Sequence, residues 1–218
     1  MPNIWTYFRS APPFSVWHSH PGQQSRVLIT AGVDGDEYAG IQAAEDLITS
    51  YQGDLPLTVI PTVNRAGNQV GMSANPLDGR YPKHIFPGSA YGSSSSRLMH
   101  SLLPHLSGVE IWIDLHGGAT DEHLRPFVWT GAPYPYCRQH GIAYILVEAG
   151  ELGVAQPEMV ELHHQVIAQI LQNHLHPPLH SVTPTYHHVQ FASRESPDSP
   201  IPPDYLWYSP QTLALGVW

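Results

Sequence analysis

Three clusters of ionisable side chains each close an apolar run. Asp34-Gly35-Asp36-Glu37 follows Val27-Leu28-Ile29-Thr30-Ala31; Asp114-Leu115-His116-Gly117-Gly118 ends "VEIWIDL"; Glu148-Ala149-Gly150-Glu151 ends "IAYILV". Carboxylates that converge repel one another, so a cation is expected where they meet. Asp34 and Glu37 lie three apart at a strand-to-helix turn, where both can face one point, and His116 would add an imidazole from another strand. Two ligands from one loop plus a distant histidine is a recurring zinc geometry, and three protein ligands leave a fourth position for water. A competing reading of the first cluster is helix capping, with Asp34 or Asp36 accepting first-turn N–H groups and Glu37 facing the positive end of the dipole. Likewise His116 could be a strand-end histidine satisfied by a backbone carbonyl. Glu148 is harder to explain that way, because a carboxylate after "IAYILV" is costly to bury unpaired.

The surrounding pattern must position these groups. Residues 26–31, 55–63, 109–115, 127–130 and 142–149 read as strands. Residues 37–51, 96–106 and 156–175 place apolar side chains at helical spacing. Strands alternating with helices imply an α/β fold with a mostly parallel sheet, whose ligands collect at the carboxyl ends of the strands. Residues 1–25 are expected to form an edge strand and a loop. Residues 64–95 are rich in Gly, Pro, Asn and Ser; so long an irregular segment in a compact domain usually lines a site. Beyond Pro177 the pattern suggests one or two short strands.

Composition bounds the function. A chain of 218 residues suits one α/β domain. Charged residues make up 12%, the formal net charge is −9, and Lys83 is the only lysine beside eight arginines. No basic face for nucleic acid or for an anionic membrane surface is implied. Histidine, the commonest metal ligand, occurs 15 times. The lone Cys137 excludes an intrachain disulfide and a cysteine-type zinc site. No run of 18 apolar residues occurs, and a cytoplasmic protein is the expectation.

The segments "ITAGVDGDEYAGI", "PTVNRAG", "NPLDG", "IFPGS", "SSRLMHSL", "IDLHGG" and "ILVEAG" occur in this order across residues 26–175. Together they resemble the succinylglutamate desuccinylase/aspartoacylase family, a branch of the zinc-carboxypeptidase-like hydrolases. The resemblance implies a three-layer α/β/α domain, one zinc, and hydrolysis of an amide bond in an N-acyl amino acid or related small molecule. It aligns Glu37 with the family's glutamate ligand, His116 with its distant histidine, and Glu148 with its catalytic glutamate. Asp34 stands where the family has its first histidine. Aspartate is a competent zinc ligand, but two carboxylates and a neutral imidazole cancel the charge of a divalent ion. Such an oxygen-rich site also tolerates metals such as Mn²⁺ better. Asp114, two residues before His116 on the same strand face, is a candidate to orient a ligand, or else a structural hydrogen-bonding group. The family's substrate-holding Asn-Arg pair before "IF" is replaced here by Lys83-His84, with Lys83 a point-charge substitute at most. Tyr134 and Arg138 keep the family's spacing to Glu148, which makes Arg138 the best candidate clamp for a substrate carboxylate or carbonyl; a surface ion pair is the plainer role.

The expected organisation is a catalytic metallohydrolase domain over 1–180 and a short β or irregular appendage over 181–218. The expected activity is metal-dependent cleavage of a C–N amide bond in a small N-acyl amino acid, with Zn²⁺ or another divalent ion as cofactor. The expected partner is a small-molecule substrate, with no nucleic acid and no membrane; the sequence leaves the oligomeric state open. Two alternatives stay open. One is a degenerate relative that binds a metal or metabolite without turnover. The other is a carboxypeptidase or peptide amidase on the same fold.

Overall fold

Val27–Ala31 (β2) is apolar at four of five positions and buried throughout, as a strand covered on both faces must be. A computed structural model of the chain describes residues 14–129 and 131–175, with side chains to residue 173. The other strands are Trp17–His18 (β1), Leu57–Ile60 (β3), Ile111–His116 (β4), Phe127–Trp129 (β5) and Ala143–Glu148 (β6). They form one sheet in the order β1-β3-β2-β4-β6-β5. The four central strands are parallel, and β1 and β5 close the two edges antiparallel. The register places Thr30 beside Asp114 and His116 beside Glu148.

The helices are Tyr38–Ser50 (α1), Arg65–Val70 (α2), Ser94–His100 (α3), Tyr134–Gln139 (α4) and Pro157–Leu175 (α5), with 3-10 turns at Pro82–His84 and Leu103–Leu106. α1 and α5 cover one sheet face, where Ile29, Ile113 and Ile145 meet Ile41, Ala44, Ile167 and Ile170. The opposite face carries the alternate residues Leu28, Trp112, Tyr144 and Leu146, packed under Phe86, Met99, Leu102 and Cys137. The expected three-layer α/β/α architecture with a mostly parallel sheet is therefore the observed one. Three rings tie the second face: Trp112 lies edge-on to Phe86 at 5.1 Å and to Tyr144 at 4.9 Å between centroids.

Several elements differ from the sequence expectation for identifiable reasons. The strand expected over 55–63 shortens to Leu57–Ile60 because Pro56 and Pro61 bracket it without N–H donors. The helix expected over 96–106 ends at His100, and Pro104, which has no N–H to give the His100 carbonyl, turns the rest into 3-10 helix. α4 went unread because "YPYCRQ" carries an early proline and no apolar period. The segment 64–95 is ordered rather than irregular. The Asn64 side chain caps α2 by accepting from Gly67 N–H at 3.0 Å, and Gly71 ends that helix in the left-handed conformation. The Asp78 carboxylate accepts the N–H and the hydroxyl of Ser95, both at 2.7 Å. Those bonds outweigh burial and lower its pKa to about 2. The boundary expected near residue 180 and the C-terminal strands lie outside the described residues. Among the described residues no helix is long and apolar enough to cross a membrane.

α1 approaches the sheet through Gly40, where a Cβ would stand 2.8 Å from the Leu115 carbonyl oxygen. Gly40→Ala should therefore push α1 off β4 and cost about 1–3 kcal/mol, as overpacking does. A urea midpoint equal to that of the parent protein would contradict this packing.

Candidate metal centre and active site

The polar clusters meet at the carboxyl edge of the sheet, all fed from its second face. Asp34 and Glu37 sit in the turn between β2 and α1, while His116 and Glu148 are the last residues of β4 and β6. One ligand atom each from Asp34, Glu37 and His116 lie within 4.8 Å of one another, and all three residues are buried. The carboxylates are not used for capping. Glu37 is the N-cap of α1 but makes no side-chain cap hydrogen bond. Asp36 accepts from the Ser73 hydroxyl at 2.6 Å and from the Thr120 N–H and hydroxyl at 3.3 Å, and Glu37 Oε2 accepts from the Gly117 N–H at 3.1 Å. Gly35 allows the turn to close on α2: a Cβ there would stand 2.3 Å from the Asn68 nitrogen, and Asn68 donates to the Gly35 carbonyl at 2.9 Å.

His116 is held from both sides. Its Nε2 faces Asp114 Oδ2 at 3.2 Å and its Nδ1 faces Glu37 Oε2 at 2.8 Å. Asp114 is itself anchored. The Thr30 hydroxyl donates to Oδ1 at 2.6 Å, the Tyr144 hydroxyl to Oδ2 at 2.8 Å, and Trp112 Nε1–H to the Thr30 oxygen at 2.7 Å. With Nε2 directed to Asp114, Nδ1 is the atom turned toward Asp34 and Glu37, the arrangement in which a carboxylate fixes a metal-binding imidazole. Burial disfavours a charged His116, but the Glu37 and Asp114 carboxylates on either side outweigh it and hold its pKa well up. Burial likewise pushes Glu37 well up against the pull of His116. Both groups are thus shifted toward their protonated forms. Asp34 Oδ1 is buried and accepts no hydrogen bond, as an open ligand atom would be, while Asp34 Oδ2 and His116 Nδ1 meet other ionisable groups of the site. The three residues thus fit a divalent ion in donor type, burial and spacing.

Glu148 is buried, and its pKa rises to about 7, chiefly through burial, against the pull of His116 and Lys83. Lys83 forms an ion pair with Asp34 Oδ2. Burial opposes its charge, yet Asp34, Glu37 and Glu148 together raise its pKa. Buried Pro82 on one side and Phe86 on the other fix this turn. Lys83 and His84 line a narrow pocket with Asp114, Trp129, Pro133 and Tyr144. Burial and the neighbouring Lys83 lower the pKa of His84. Tyr134, next to Pro133 at the start of α4, is partly buried against the second-face core. Arg138 lies one turn further along α4; it is exposed and does not line that pocket.

Sequence reasoning missed three features. The Lys83–Asp34 pair joins residues 49 positions apart, and its only signal is that the chain's single lysine follows "NPLDGRYP". Thr30, a hydroxyl inside an apolar strand, and Tyr144 were legible as polar groups but not as partners of Asp114. His163 on α5 is buried, donates through Nε2 to the Ala149 carbonyl at 3.0 Å, and is kept neutral by burial, its pKa lowered to about 4. It anchors the turn that follows Glu148.

Comparison with known proteins agrees with this layout. N-alpha-acetyl-L-2,4-diaminobutyric acid deacetylase of Halomonas elongata is 27% identical over 110 residues, 49% of this chain and 32% of its own length. The succinylglutamate desuccinylase/aspartoacylase of Rhodobacter sphaeroides superposes with a TM-score of 0.62 at 24% identity, over 73% of this chain and 58% of that one. The ectoine utilization protein EutE (DoeB) of Ruegeria pomeroyi, a product-bound structure, superposes with a TM-score of 0.59 at 16% identity, over 73% of this chain and 59% of that one. The chain thus spans less than two thirds of the length of each of these relatives. The pattern of the succinylglutamate desuccinylase/aspartoacylase catalytic domain matches residues 23–147, more than half of the chain. The chain belongs to the succinylglutamate desuccinylase/aspartoacylase family.

Proposed function

We propose that the protein is a metal-dependent hydrolase that cleaves the C–N amide bond of a small N-acyl amino acid or related compound. The observation that carries this reading is the convergence of buried Asp34, Glu37 and His116 ligand atoms beside Glu148, in register on the next strand. Family membership and the deacetylase relative add support. Zn²⁺ is the proposed ion; when bound, it supplies a Lewis acid for the scissile carbonyl and for the attacking water. Glu148 takes a proton from that water as its oxygen adds to the carbonyl carbon. It returns the proton to the departing nitrogen as the C–N bond breaks, leaving acid and amine. A pKa near 7 suits both halves of that exchange. Asp114 holds the His116 ring throughout. The substrate enters beside Lys83 and His84. Tyr134 and Arg138, four apart and hence on one side of α4, serve as an outer clamp, the exposed guanidinium being free to take a carboxylate through two hydrogen bonds.

A second reading, ligand binding without turnover, is favoured by one observation: Lys83 already neutralises Asp34. An assay on a panel of N-acetyl and N-succinyl amino acids separates the two. Amine release should vanish on dialysis against a chelator and return with divalent metal, and His116→Ala should abolish it. Metal affinity should rise with pH, because the Glu37–His116 pair must release its proton to bind. Turnover that survives both chelation and His116→Ala would refute the metal reading.

Glu148→Gln should keep metal binding and lower turnover on the order of 10²-fold or more. It should also change the stability profile of the metal-free protein. Glu148 has a folded-state pKa of about 7 against an ordinary value of 4.5, so the folded state binds more protons between those values. The parent protein then loses stability as pH rises through that window, and the Gln variant escapes that share, on the order of 3 kcal/mol. Parallel denaturation midpoints from pH 4.5 to 8 would place the proton elsewhere.

A further inference from the structure

The residue standing against Asp34 is the only lysine in the chain. Asp34 is wholly buried, its Oδ1 accepts no hydrogen bond, and its Oδ2 meets the Lys83 ammonium. His116 Nδ1 is 3.9 Å from the same oxygen. An ammonium is a compact point charge with three donors, so it can cancel one carboxylate oxygen and leave the other open, where a planar guanidinium would tend to cover both. We propose that Lys83 is the internal counter-cation of the metal centre. It holds Asp34 as a neutral ligand unit, restrains affinity for the divalent ion, and keeps the loaded centre electropositive. This inference rests on the metal-site reading above.

Asp34, Glu37 and a neutral His116 cancel the two positive charges of a divalent ion, and Lys83 restores one. A carboxylate paired with an ammonium carries the same net charge as a neutral imidazole, so the pair replaces a histidine electrostatically. Held on an Asp34 oxygen, the ammonium also repels an incoming cation in a buried site, where like charges are poorly screened. Asp34 and Lys83 should therefore behave as one unit, and changing either alone should be costly. Asp34→His by itself would leave the ammonium facing the ion without the carboxylate that pairs with it.

The test is a metal-affinity cycle, read by competition with a chromogenic chelator for Zn²⁺ at fixed pH. Lys83→Met should bind at least ~10-fold more tightly than the parent, about 1.4 kcal/mol. Asp34→His alone should bind no more tightly than the parent, and Asp34→His with Lys83→Met should bind at least ~10-fold more tightly than Asp34→His. Lys83→Gln is the second variant, and thermal melting of each metal-free protein checks folding. Because Lys83 is the only lysine, selective lysine labelling gives one side-chain NMR resonance for its ε-methylene, which should move when Zn²⁺ is added to the parent. The inference is overturned if His116→Ala abolishes binding while Lys83→Met and Lys83→Gln bind no more tightly than the parent. It is equally overturned if Asp34→His alone reaches the double variant. Binding that is absent throughout, or indifferent to His116→Ala, overturns the metal reading itself and this inference with it.

Discussion

Beside Asp36, which Ser73 and Thr120 satisfy, four carboxylates, Asp34, Glu37, Asp114 and Glu148, are buried within one edge of the sheet, and the rest of the site is arranged around the cost of keeping them there. An isolated buried carboxylate either finds donors and counter-charge or takes up a proton. Each of the four follows a different route. Asp114 accepts from Thr30 and Tyr144 and faces the His116 ring. Asp34 faces Lys83, Glu37 faces His116 and accepts from the Gly117 N–H, and Glu148 is partly protonated near neutral pH. The four solutions are coupled, because the same His116 and Lys83 act on several of them.

The fold makes that concentration of charge possible by giving it one face. Thr30, Asp114, His116 and Glu148 alternate with Ile29, Ile113, Leu115 and Val147, so the side chains between them enter the apolar layer under α1 and α5. Trp112, Tyr144 and Phe86 then pack beneath the polar edge. Two of the polar groups, the Trp112 indole and the Tyr144 phenol, belong to that aromatic layer and reach up into the hydrogen-bond network. Core and site are therefore one structure on this side of the sheet.

Much of this was legible in the sequence. Strand cores, the two long helices and the groups at strand ends follow from periodicity and from the physical oddity of acids after β-branched runs. Asp34, Glu37 and His116 do converge, and Glu148 lies beside them. What was not legible depends on long-range approach. No local pattern ties Lys83 to Asp34 or Thr30 to Asp114, since both pairs exist only once β2, β4 and the turn at Pro82–His84 are stacked. Proline misled in both directions: it trimmed β3 and α3 below their apolar patterns, and it hid α4, where it sits in the permissive first turn. The sequence placed Lys83 near substrate; the folded chain puts its charge on Asp34 and its stem at the pocket wall.

The alternation along β4 and β6 also governs how the gene can change length. A single residue inserted within Ile111–His116 or Ala143–Glu148 would rotate every later side chain in that strand to the opposite face. Asp114 and His116, or Glu148, would then enter the layer filled by Ile167 and Ile170, while leucine or valine took their places at the edge. Insertions and deletions in these strands are thus confined to the loops before them. Change within the strands themselves is limited to substitution.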